Sequence, residues 1–144
     1  MKIKHIMQHG LLAILACIAI SAGATNGEDK NPIDVQYEKA IQKDPSTFGM
    51  RAAANKAREA WDKEMNKSYA HLMAKLNSRQ QTALRASQRA WIKFRDAEGK
   101  SIAEIVAIQD GTIWQLTATN QYMELVRARA LQLHGYESAM HEQE

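Results

Sequence analysis

Charged side chains interrupt an apolar helical stripe in the second half of the chain, and any chemistry would have to begin with them. At about 100° per residue, Arg95 and Glu98 fall between Leu84, Trp91 and Ile102, and Gln88 lies on the edge of the same face. Further on, Arg129 sits among Tyr122, Leu125, Val126 and Leu133, while upstream Asp62 lies beside Met65 and Tyr69. A lone charge is costly to desolvate, so a core that admits these residues must pair them. The expectation is an inter-helical network in which Arg95 and Arg129 meet Asp62 and Glu98, with Tyr69 supplying a hydroxyl. Arg95 also has two local options, Glu98 at i,i+3 and the face of Trp91 at i,i+4. Bundles use such groups to fix register and orientation. Acid–base catalysis would instead require the carboxylates to face a cleft.

The remaining polar residues offer less. His71, His134 and His141 are read as surface or tail residues without partners at ligand spacing, so no metal site is expected. The chain has no glycine-rich phosphate loop and no nucleophile elbow, and its single cysteine lies near the start. Serines and threonines collect at caps and turns. These readings describe a protein that is not an enzyme and uses no cofactor.

The elements that must position these residues are helices. Pro32 suits the first turn of a short helix ending at Lys43, closed by Asp44-Pro45, with Ser46 to Gly49 as a turn. Trp61, Met65, Tyr69, Leu72 and Leu76 recur at spacings of three and four, predicting a helix over 50–76. Met50, Ala54 and Ala57 extend its buried face. Asn77-Ser78 breaks the pattern, and Ser78 with Gln81 looks like a capping box opening a helix to about Ile108. Its apolar side is Leu84, Trp91, Ile102, Ile105 and Val106, and Gly99 marks a bend or a close contact. The rival reading is one long kinked helix over 50–108. Asp110-Gly111 is a turn, and Thr112 with Gln115 forms a second capping box for a last helix through His134. Gly135 would lie just past its end. Met65, Met73 and Met123 fill core positions. The predicted fold is all-α: a small antiparallel bundle of three long helices, up-down-up, with the short N-terminal helix laid across it.

The beginning of the chain reads as a secretory signal peptide over 1–24. Lys2 and Lys4 form its basic region, Leu11 to Ile20 is uncharged and apolar, and Ala22-Gly23-Ala24 offers a cleavage site. The apolar run is shorter than the roughly 20 residues that span a bilayer, so no stable span is expected after leader removal. Ile14-Leu15-Ala16-Cys17 loosely resembles a lipidation motif, but Leu15 fits it poorly, and cleavage near Ala24 is the reading. Loss of the leader lowers the net charge from +3 to +1 and removes the one cysteine. Disulfides are therefore unavailable, and packing must supply the stability. Without a basic stripe interleaved with aromatics, nucleic acid is not an expected partner. The organisation read from the sequence is a leader (1–24), a flexible lead-in with a short helix (25–49), a helical domain (50–135) and a charged tail (136–144).

Over about Ala52 to Leu133 the chain resembles the LprI-like lysozyme-inhibitor family. The resemblance rests on Asp62-Lys63-Glu64-Met65-Asn66 with Tyr69 and Leu72, and on Gln88-Arg89-Ala90-Trp91 leading into Phe94-Arg95-Asp96-Ala97-Glu98. Gly111, Glu124-Leu125 and Arg129 fit the family's closing helix. Family members carry three cysteines whose matching positions here are Ala53, Gly99 and Gln121, so this chain lacks their covalent bracing. The resemblance implies a periplasmic or secreted helical domain, no cofactor, and lysozyme as a possible partner.

An inhibitor of lysozyme must occlude a cleft built around two carboxylates. The connector Gln109-Asp110-Gly111-Thr112 could enter it, or an acidic helix surface could meet a cationic enzyme. Asp96, Glu104, Asp110 and Gly111 are accordingly the candidate partner-binding residues. The competing expectation is a periplasmic interaction or scaffold module that binds another envelope protein through a helix face and leaves lysozyme untouched.

Overall fold

A computed structural model of the chain describes residues 30–141. The signal peptide expected over 1–24, including Cys17, lies outside the described residues. So do positions 25–29 of the lead-in and the final residues 142–144. Four helices follow one another: α1 (Pro32–Lys43), α2 (Thr47–Lys75), α3 (Ser78–Ala107) and α4 (Thr112–His141). The described residues contain no strand.

Local chemistry sets most of the boundaries. The Asn31 side chain accepts a hydrogen bond from the Ile33 amide at 2.9 Å, and Pro32 takes the first helical position, where its missing N–H costs nothing. Asp44 turns extended before Pro45 and ends α1. Ser46 then caps α2, its hydroxyl accepting from the Gly49 amide at 3.0 Å. Ser46 to Gly49 is therefore a cap and first helical turn rather than a free turn.

The break at the end of α2 is complete, because Leu76 is extended (φ −76°, ψ 146°), and a single kinked helix is ruled out. The capping box lies one residue earlier than the sequence suggested. Asn77 accepts from the Gln80 amide at 3.0 Å, and the Gln80 side chain accepts from the Asn77 amide at 3.0 Å. Gln81, released from that role, donates its amide N–H groups to the Met73 and Leu76 carbonyls, each at 2.9 Å. It thereby satisfies carbonyls that the end of α2 leaves free.

At the other end, Gly111 adopts φ +103°, a conformation that favours glycine. Thr112 stands inside α4 rather than at its cap, and Gln115 accepts from Arg51 at 2.6 Å instead of completing a box. α4 also runs through Gly135 to His141, so residues 136–141 are helix and not the expected tail.

Pairs of contacts give the helix directions. Arg51 meets Gln115 at one end of α2, and Ser68 meets Glu137 at the other, so α2 and α4 run parallel. Gln88 meets Arg129 while Gly99 abuts Tyr122, so α3 runs opposite to α4. α1 packs mainly on α2 and also reaches α4. Tyr37 reaches Asn120 and Asp34 reaches Arg127, which sets α1 antiparallel to α4. Buried Gly49, Ala53, Ala54 and Ala57 give α2 a narrow face there, allowing close approach of its neighbours.

α2 and α4 form the principal packed pair. Trp61, Met65 and Leu72 of α2 meet Met123, Val126, Ala130 and Leu133 of α4, and Leu84 of α3 closes the cluster. Spacings of three and four on both helices produce this seam, as the period of a buried face requires. The second half of α3 contributes little. Ile102 and Val106 are half-buried, and Ile105, expected in the core, is 63% exposed.

Candidate functional site

The polar residues singled out from the sequence separate into three groups. Gln88, Trp91, Arg95 and Arg129 come together. Arg129 is buried among them and donates from Nε to Gln88 Oε1 at 3.0 Å, from Nη1 to Gln132 Oε1 at 2.6 Å and from Nη2 to Ser87 Oγ at 3.2 Å. The Trp91 ring lies against both guanidinium groups, 5.3 Å from Arg95 and 6.0 Å from Arg129.

Asp62 and Asn66 form a local pair one helical turn apart, the Asn66 amide donating to Asp62 Oδ2 at 3.1 Å. Tyr69 packs against the core cluster. Glu98 faces a groove with Phe94, Ile102 and Leu125 and pairs with no described cation.

The expected ionic network does not form. Arg95 turns to its chain neighbour Asp96, with Nε and Nη2 donating to Oδ1 at 2.9 and 2.7 Å. Arg129 finds amide oxygens, a hydroxyl and a π face, and no carboxylate among the described residues. Burial pulls its pKa below the ordinary arginine value. The wheel placed Gln88 and Arg129 beside apolar stripes, and both are buried. It could not show that Asp62 lies on the partly exposed side of α2, away from Arg129.

The carboxylates that do bind across helices were not anticipated. Asp34 of α1 takes two parallel bonds from Arg127, Nε to Oδ1 at 3.0 Å and Nη2 to Oδ2 at 2.7 Å, and Arg127 also lies 5.4 Å from the Trp61 ring. Glu137 of α4 gathers Ser68 Oγ at 2.6 Å, His71 Nδ1 at 3.0 Å and His134 Nδ1 at 3.6 Å. Burial pushes Glu137 up, but hydrogen bonds from Ser68 and His71, the His71 charge and the His134 contact outweigh it and hold the carboxyl below its ordinary value. His71 and His134 are exposed, as expected, yet they are not without partners. The His134–Glu137 spacing was visible in the sequence; the contribution of α2 needed the parallel pairing. Among the described residues, no group of three His, Cys, Asp or Glu side chains could hold a metal ion.

The four candidate partner-binding residues are all exposed but do not form one site. Asp96 is occupied by Arg95, some three helical turns from the turn that carries Asp110 and Gly111. Glu104, Asp110 and Gly111 share the α3–α4 end of the bundle. Sequence reasoning missed the apolar character of that end: Ile105 (63% exposed), Ile108 (80%), Ile113 (55%) and Trp114 (40%) all meet solvent there. Beside them a cleft of about 470 Å³ is lined by Arg51, Val106, Asp110, Gly111 and Trp114 among others. Concentrated exposed apolar surface of this kind marks interaction sites. Helical spacing had assigned Ile105 to the core; only the thin packing of late α3 reveals otherwise. No described helix is long and apolar enough to cross a membrane.

Comparison with known proteins adds a family to this geometry. Residues 38–133 match the family described as "Lysozyme inhibitor LprI". No curated protein matches the chain. Among solved structures, the chain is similar to the crystal structure of an uncharacterized protein from Burkholderia thailandensis, with a TM-score of 0.69 and 26% identity. The likeness covers 73% of this chain and 53% of that one, so the chain spans about half the length of that structure. The family match takes in all of α2 and α3 and the core-forming part of α4 through Leu133, well over half of the sequence. The chain therefore belongs to the lysozyme inhibitor LprI family.

Proposed function

We propose that the protein is exported, loses its leader near Ala24 and inhibits lysozyme by presenting the α3–α4 end of its bundle to the enzyme. Family membership over residues 38–133 is the observation that carries this reading. Two features of the structure support the choice of surface. The turn at Asp110-Gly111 projects between two helix ends with Ile108, Ile113 and Trp114 exposed around it. Aromatic and aliphatic anchors of this type supply most of the affinity at protein interfaces. Glu104 and Asp110 have no described ion-pair partner, which leaves them free to meet a cationic enzyme. The small net charge makes apolar contact the larger contribution.

The test is a lysozyme turbidity assay with the purified exported protein and with Trp114→Ala and Asp110→Lys variants. Inhibition by the wild type that both variants weaken at least tenfold supports the proposal. Absence of inhibition at large molar excess, across several lysozyme types, removes it. The same exposed end would then serve another envelope protein, the competing reading as an interaction module.

A further inference from the structure

Along α3, Phe94, Glu98, Ser101, Ile105 and Ile108 repeat at alternating spacings of four and three. This is the repeat of a helix that packs a narrow seam against another helix. α3 leans on α4 with a neighbouring face, through Gln88 and Gly99, so the seam is left without cover and Phe94 is 53% exposed. Beside it, α3 and the outward side of α4 enclose an open groove of about 670 Å³. Phe94, Ile102, Ile105 and Leu125 make most of its surface apolar, and Glu98 and Glu124 add two carboxylates. The remaining lining residues are uncharged, so no described cation lines the groove.

Both carboxylates are available to a partner. Glu98 has no cationic partner among the described residues. Glu124 is 58% exposed and lies 3.6 Å from Arg127, whose guanidinium is already committed to Asp34 at 2.7 Å. An apolar trough edged by acids matches an apolar stripe flanked by Lys or Arg, and a trough between two antiparallel helices has the shape to receive a third helix. The acids argue against other occupants. A second copy related by a twofold axis would set each groove's carboxylates against the same groups of its neighbour. An anionic lipid surface would repel them.

We propose that this groove docks a cationic amphipathic helix from another protein, its apolar stripe on Phe94, Ile102, Ile105 and Leu125 and its Lys or Arg side chains at Glu98 and Glu124. Phe94 to Ile105 covers about 16 Å of α3, so the groove engages about three turns of the partner. It runs along the flank of the bundle and shares only Ile105 with the apolar residues of the α3–α4 end. The proposal does not rest on lysozyme inhibition, and its test uses no lysozyme.

The probe is a fluorescein-labelled peptide of leucine and lysine, about four helical turns long with its leucines on one stripe, titrated with the purified protein and followed by anisotropy. Two controls are the same peptide with glutamate in place of lysine, and a leucine–lysine peptide of equal composition in scrambled order. One-to-one saturable binding of the first peptide is expected, about tenfold or more tighter than either control and weakened by added salt. Glu98→Lys and Phe94→Ala should each weaken it about tenfold or more while leaving the helical circular dichroism unchanged. Glu59→Lys makes the same charge change on exposed α2 surface outside the groove, and should leave binding unaltered. Equal binding of either control peptide, equal weakening by Glu59→Lys, or no saturable binding would each overturn the proposal. So would a dimer that Phe94→Ala dissociates, or Phe94-dependent binding to phosphatidylglycerol vesicles, in the absence of peptide binding.

Discussion

Arg127 of α4 holds Asp34 of α1 through two parallel N–H···O bonds, and its guanidinium lies over the Trp61 ring of α2, so one side chain fastens three helices. Asp34 in turn raises the pKa of Arg127. Both side chains are about one quarter to one third exposed, at 24% and 31%, so the pair is shielded from screening without being stranded. Arg127→Ala should cost about 1.5–3 kcal/mol, the usual range for hydrogen bonds to a charged group. Urea unfolding followed by circular dichroism measures this directly. A loss below about 0.5 kcal/mol would class the contact with ordinary surface pairs.

Glu137 makes stability depend on acid pH. Its folded carboxyl titrates below the ordinary glutamate value because Ser68, His71 and His134 outweigh the effect of burial. A depressed folded pKa contributes stability that is fully present above the unfolded value, near 4.5, and is lost as pH falls through the lower folded value. Glu137→Gln should therefore flatten the stability profile below about pH 5. At neutral pH it should cost about 1–3 kcal/mol. Melting temperatures from pH 3 to 7 for both proteins check the sign; parallel curves would contradict it.

Gly99 lies so close to Tyr122 that an added Cβ would sit 2.6 Å from ring atom Cε2. Alanine at this position gains about 1 kcal/mol of helix propensity but must displace the ring. Overpacking of this kind costs about 1–3 kcal/mol, so Gly99→Ala should be destabilised overall. The double variant with Tyr122→Leu should recover most of the loss. A Gly99→Ala protein that melts higher than wild type would show that the ring swings aside freely.

Trp61 is the largest fully buried side chain in the seam, and its indole N–H has no acceptor among the described residues. Trp61→Ala should cost about 3–5 kcal/mol through the cavity it leaves. Trp61→Phe also removes the unsatisfied donor, and relief of that penalty offsets lost packing, so its cost should stay under about 1.5 kcal/mol. Denaturant midpoints for the two variants decide the matter; similar losses would mean that the donor is in fact satisfied.

Periodicity carried much of the fold. Trp61, Met65 and Leu72 recur at helical spacing because α2 buries a single continuous face, and Pro32, Asp44-Pro45 and Asn77 announce boundaries through backbone chemistry. What periodicity lacks is a partner. Arg129 and Asp62 were both placed near apolar stripes, yet only the observed packing shows that Gln88 and Ser87 stand opposite Arg129. Likewise Ile105 has the spacing of a core residue on a stretch of α3 that little else covers. Gly135 looked like a helix end, but an exposed glycine within α4 meets nothing that a side chain would disturb, and the helix continues past it. The apolar character of the α3–α4 end was hidden for the same reason: exposure is a property of the assembled helices.

Because the principal companion of α2 is α4, which follows only after the whole of α3, the hydrophobic seam cannot zip up hairpin by hairpin. Contacts between segments so far apart in the chain must overcome a larger loop-closure cost, which delays their formation. Until the 30 residues of α4 arrive, Trp61 and Leu72 lack their main cover. That order of assembly keeps the chain pliable while it emerges and postpones commitment to the native state until its last helix is present.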